Sequence, residues 1–148
     1  MGLTERTGDL FDQPDVGALA HGVNLRGAMG GLAGVVERRF PAAAAAYRAA
    51  CASGELALGD ALWTRDGDRW IVHLATQVDP GADARLDAVE GAVARLCRTA
   101  PDHGVARVAL PRIGAGIGGL AWDHVREVLA TVAEAHPVEL VVVSLPDA

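Results

Sequence analysis

The stretch LPRIGAGIGGLAW, Leu110 to Trp122, sets Gly114, Gly116, Gly118 and Gly119 between the apolar run Val105 to Leu110 and a helical pattern that starts near Trp122. A glycine-rich turn between a strand and a helix is the layout of an anion-binding loop, because it bares several N–H groups at the positive end of a helix dipole. Gly114, Gly116 and Gly119 also satisfy the GxGxxG spacing of dinucleotide-binding folds. That fingerprint belongs in the first strand-to-helix turn with further such units behind it, whereas one helix and one strand follow here. The acidic residue that belongs at the end of the next strand is missing too. A two-half dinucleotide fold therefore does not fit. What remains is the local physics of close backbone approach to a pyrophosphate and positive φ at no steric cost.

A second loop makes the first informative. HGVNLRGAMGGLAG, His21 to Gly34, also follows a strand pattern, is also rich in glycine and also opens into a helix. Two such loops at the carboxyl ends of strands can enclose a diphosphate from both sides, at the place where open α/β sheets bind ligands. The competing explanation is that the glycines only make turns and tight packing. A third element, Thr7-Gly8-Asp9-Leu10, reads either as a turn, since Asp bonds its own backbone there, or as a carboxylate that accepts from an amino group such as that of adenine.

Working outward, strand-like runs cover 3–7, 18–23, 60–64, 70–76, 105–110 and 138–145. Helical spacing appears at Leu32, Val35, Val36 and Phe40, and in the alanine-rich run that begins at Pro41, where proline suits a first helical turn. It recurs at Leu86, Val89, Val93, Leu96 and Cys97, and at Trp122, Val125, Val128, Leu129 and Val132. The last two strand runs are almost continuously apolar, which suits strands covered on both faces, and the helix between them is long enough for a parallel crossover. The expected fold is an α/β/α sandwich with six strands.

The 148 residues, 51% of them hydrophobic, are enough for one domain, 1–148, with a core that needs neither metal nor disulfide. No apolar stretch approaches the roughly 20 residues of a membrane span, and MGLTERTGDL lacks a signal peptide's charged start and apolar centre. A cytoplasmic chain with no membrane partner is expected. A net charge of −6 argues against a nucleic-acid partner, which calls for clustered cations. All 13 basic residues are arginine, so no lysine nucleophile, Schiff-base lysine or P-loop lysine exists. Cys51 and Cys97 read as buried reduced thiols, and no His, Cys or carboxylate set has metal-ligand spacing.

GDLF at Asp9, HGVN followed by MGGLAG at Met29 to Gly34, and LPRIGAGIGGLAW, in this order, resemble the macrodomain family across essentially the whole chain. The similarity is to the branch that contains the terminal ADP-ribose protein glycohydrolase. The resemblance implies a three-layer α/β/α sandwich with a six-stranded mixed sheet, and ADP-ribose as ligand without a cofactor. It implies that Asp9 holds the adenine amino group with help from the Leu10 backbone. Gly30, Gly31, Leu32 and Ala33 would form one phosphate loop, and Ile113, Gly114, Ala115, Gly116, Ile117 and Gly118 the other. Asn24 would reach the distal ribose, and Leu145-Pro146 would pack on the adenine ring.

In that branch a lysine after the fourth strand attacks the anomeric carbon and a loop aspartate completes cleavage. Here the first segment reads ATQVDPG, Ala75 to Gly81, and the aspartate's position falls at Gly118. The covalent lysine route is excluded. A glutamate or aspartate ester still cleaves readily, because the leaving carboxylate has a conjugate-acid pKa of about 4 and departs without a strong general acid. The expected activity is hydrolysis of mono-ADP-ribose from acidic side chains of modified proteins by a monomer. The substrate's own diphosphate would stabilise the oxocarbenium-like transition state. Asn24, Gln77 and Asp79 are the polar candidates at the reacting carbon, with Asp79 before Pro80 equally readable as a turn former facing water. His21 and His73 lie in apolar strand runs and read as core, Arg26 as an exposed loop arginine or a phosphate contact. Two other functions stay open: a reader that holds ADP-ribose without cleaving it, and a hydrolase of small ADP-ribose derivatives.

Overall fold

The computed structural model describes residues 2–146. Strand β1 (Leu3–Thr7) and β2 (Ala18–Val23) precede helices α1 (Gly31–Arg39) and α2 (Pro41–Ser53); β3 (Ala61–Asp66) and β4 (Arg69–Ala75) precede α3 (Leu86–Thr99); β5 (Arg107–Leu110), α4 (Trp122–Glu134) and β6 (Glu139–Ser144) follow. One sheet has the order β1-β6-β5-β2-β4-β3. β3 alone is antiparallel to its neighbour, so the sheet is mixed as expected.

The continuous apolar runs are explained by burial on both faces. Leu140 and Val142 of β6 join Ala18, Ala20, Val72 and Leu74 under α3 and α4, while Val141 and Val143 join Leu19, Ile71 and Ala109 under α1. Pro41 does open α2, its missing N–H falling where a helix has no partner for it. The alanines of α2 let it sit close to the sheet: Ala43, Ala44 and Tyr47 are buried. β5 is shorter than its apolar run because the Val105 N–H turns back to the Ala100 carbonyl before the ladder begins.

Topology locates the crevice. From β2 the chain runs towards β4, and from β5 it runs the other way to β6, so the switch point lies between β2 and β5. These two strands pair only at Ala18 with Val108 and Leu19 with Ala109, although β2 continues to Val23. Their carboxyl ends therefore diverge. The loops that leave them are the two glycine loops.

Candidate functional site

A cleft of about 410 Å3 opens between those loops. Its walls include Asn24, Gly30, Gly31, Leu32 and Ala33 from the first loop and Ile113, Gly114, Gly116, Ile117 and Gly118 from the second, with Thr76 and Gln77 at one end. Asp9, Leu10, Ala115 and Asp79 are outside this lining. The carboxyl ends of β1 and β6 lie side by side, Thr7 opposite Ser144, and the Gly8 N–H donates to the Ser144 carbonyl at 2.8 Å. Asp9 and the exposed Leu145 thus share one end of the sheet. Asp9 forms the turn its sequence suggested, Oδ1 accepting from the Phe11 N–H at 2.9 Å.

Asn24 is not a free polar group. Its Oδ1 accepts the N–H groups of Arg26 (2.9 Å) and Ala28 (3.3 Å), and its Nδ2 donates to the Ala28 carbonyl at 3.0 Å. The side chain, 7% exposed, stitches the first loop together. Gln77 is fixed differently. Its Nε2 donates to the carbonyls of Asp79 (2.7 Å) and Gly81 (2.9 Å), which uses both amide hydrogens and leaves Oε1 as its remaining polar atom, and the residue lines the cleft. Asp83 holds this segment by accepting the N–H groups of Asp79 and Val78. Those two bonds and the nearby Arg85 keep its carboxyl below the usual carboxylate range. The Asp79 carboxylate faces the rim and accepts from Arg26 Nε at 2.8 Å, both side chains 60% exposed. It clamps two loops at the surface.

The second loop is closed by packing. A Cβ on Gly118 would stand 2.7 Å from the Ala84 Cβ and 2.8 Å from the Gly114 carbonyl oxygen, and the Ala84 N–H donates to the Gly118 carbonyl. No side chain fits at the position where the resembling branch has its aspartate. Ile117, 70% exposed, projects from this loop over the first, its Cδ1 3.1 Å from where a Cβ on Gly31 would sit.

Below the first loop lies a buried polar pair. His21 Nε2 and His73 Nδ1 are 2.7 Å apart, and His73 Nε2 lies 2.9 Å from Thr64 Oγ1, which donates to the Ile71 carbonyl. That hydroxyl donation fixes the order: His73 Nε2–H donates to Thr64, His21 Nε2–H to His73, and His21 Nδ1 is left a bare acceptor without a partner. Burial holds His21 neutral with a pKa lowered to about 4, and lowers His73 as well. Both are core residues, as the apolar runs suggested. Of the two thiols only Cys97 is fully buried, and burial pushes it up to about 11; Cys51 is partly exposed, on the face of α2 towards Asn24. Sequence reasoning missed Thr76, Arg112 and Gly81 at the cleft, although Arg112 stands inside the quoted motif.

The signature of the Macro domain family matches residues 20–129. The chain belongs to the macro domain family. This macrodomain is 32% identical over 140 residues to a Mycobacterium tuberculosis protein named DNA ADP-ribosyl glycohydrolase, a match covering 91% of this chain and 40% of that relative. It is 28% identical over 144 residues to the human ADP-ribose glycohydrolase OARD1, covering 97% of this chain and 91% of the human protein. The solved macrodomain of Thermus aquaticus DarG has a TM-score of 0.87 and 32% identity, covering 97% of this chain and 98% of that one. The macrodomain thus spans two fifths of the mycobacterial relative's length. No helix among the described residues is long and apolar enough to cross a membrane.

Proposed function

We propose that this macrodomain, acting as one unit over 1–148, binds ADP-ribose between its two glycine loops and hydrolyses mono-ADP-ribose esters of glutamate and aspartate side chains. The observation that carries the reading concerns Gly30 and Gly116. Of the 18 glycines in the chain, these two alone combine a backbone open to any residue with no atom within 4 Å of an added Cβ, and both line the cleft. Neither positive φ nor packing asks for glycine there, and although Gly30 is the N-cap of α1, Ser, Thr, Asp or Asn would cap it as well; a ligand in the cleft accounts for both positions. The relatives named as glycohydrolases support the reaction class.

The diphosphate lies against the N–H groups of 30–33 and 113–118, at the amino end of α1. Asp9 and Leu10 take the adenine amine, Leu145-Pro146 its ring, and the amide hydrogen that Asn24 keeps free points to the distal ribose. Gln77 Oε1 accepts from a water. That water's oxygen bonds to the anomeric carbon as the bond to the side-chain carboxyl breaks. The bonding pair leaves as carboxylate and the water's proton passes to solvent or to the diphosphate. Gln77 orients the water without taking its proton, and the low basicity of the carboxylate replaces a general acid.

Release of ADP-ribose from a glutamate-modified protein in large molar excess tests this. Many turnovers per macrodomain are expected, and Gln77→Leu should lower the rate ~100-fold by losing the oriented water. ADP-ribosylated DNA serves as the second substrate, because the mycobacterial relative is named for it; faster release there moves the specificity to nucleic acid. Binding without release identifies a reader, the alternative favoured by the missing lysine and by Gly118. Release only from small ADP-ribose derivatives moves the activity away from macromolecules.

A further inference from the structure

The polar network beneath the first glycine loop converges on one side chain outside the cleft, Tyr47 of α2. Its ring is fully buried and stacks on His73, centroids 5.2 Å apart and planes within 15°. Its hydroxyl donates to the Asn24 carbonyl at 2.7 Å and lies 3.2 Å from Asn24 Oδ1. Asn24 is the first residue after β2, where the loop departs, and its side chain organises Arg26 and Ala28. The carbonyl that Tyr47 holds has no strand partner to hold it, since β2 has by then left β5.

We propose that Tyr47 is a positioning residue for ligand binding: its hydroxyl fixes the Asn24 peptide, and through it the path of residues 24–30 into the cleft. The inference rests on the proposed binding of ADP-ribose between the two loops. A tyrosine in this place does what a phenylalanine would not. Phenylalanine fills the same space over His73 but leaves the Asn24 carbonyl only the long, weak contact from Cys51 Sγ at 3.9 Å, so the loop gains alternative paths while the fold stands.

Tyr47→Phe tests this with two readings. In calorimetric titrations the variant should bind ADP-ribose and ADP about tenfold more weakly than the parent chain and adenosine equally well, because only the diphosphate depends on the loop. In the ligand-free protein, amide exchange at Arg26 and Ala28 should speed up at least tenfold, with Leu19 and His21 in β2 unchanged. Equal weakening for adenosine, unchanged affinity for all three ligands, or unchanged exchange at Arg26 and Ala28 overturns the proposal. A variant that does not fold makes Tyr47 a core residue only and overturns it too. If the parent chain binds no ADP-ribose, the functional reading fails by itself, and the exchange measurement still decides whether Tyr47 holds the loop.

Discussion

The two glycine loops look alike in sequence and are built on different principles. Each has two glycines with positive φ, Gly27 and Gly31 in the first and Gly114 and Gly119 in the second, but the second is shaped by exclusion: Gly118 has Ala84 against it, Leu120 presses on Gly114 and Ala82 on Gly119. The first is shaped by hydrogen bonds from Asn24 and Tyr47, above a buried histidine pair. Each loop nevertheless contains one glycine that its own construction does not need, Gly30 in the first and Gly116 in the second. Glycines that make a loop are thereby separated from glycines that the loop's own turns and packing do not require.

Gly118→Asp probes the second loop hardest. Restoring the carboxylate of the resembling branch forces overlap with Ala84 and the Gly114 carbonyl, and should cost about 3 kcal/mol or more in urea unfolding. A stable variant would show that the loop yields and that exclusion does not shape it. The histidine pair under the first loop predicts a pH dependence of similar size. His21 stays neutral in the fold down to about pH 4, below its ordinary 6.5. Between those values the unfolded chain binds more protons, so stability is complete above pH 6.5 and falls as pH drops to about 4. The loss is about 3 kcal/mol for His21, with His73 shifted the same way. Denaturant titrations across that window, flat instead of sloping, would show that the pair is not buried neutral.

Asn24→Ala should cost about 1–2 kcal/mol, because two backbone N–H groups lose their acceptor at a loop that water can partly reach. An effect below about 0.5 kcal/mol would mean that the loop holds its shape without the side chain. The smallest stability effect belongs to Gly30→Ala and Gly116→Ala, each within about 0.5 kcal/mol of the parent in thermal melts.

Much of the sheet was legible in the sequence, because strand burial leaves a direct mark: 3–7 and 18–23 are the bounds of β1 and β2. The α/β/α layering followed from apolar runs whose alternate residues face opposite helices. The early end of β2–β5 pairing left no mark, since apolar residues continue past it. The site was legible as two loops but not as a division of labour. Gln77 and Asp79 are two residues apart and equally polar, yet two backbone carbonyls hold the amide of one, which lines the cleft, and an arginine 53 residues away pairs with the other, which lies outside the lining. Asn24 reads as a ligand contact in sequence and is largely a loop organiser, because Tyr47 and the amides that consume it meet it only after folding.

The most direct test of the account is a calorimetric titration of ADP-ribose into the parent chain and into Gly30→Ala and Gly116→Ala. Saturable one-to-one binding by the parent and at least tenfold weaker binding by both variants, with unaltered melting, is the predicted result. Parent-like affinity in both would contradict it, since the two vacant positions would then not face the ligand.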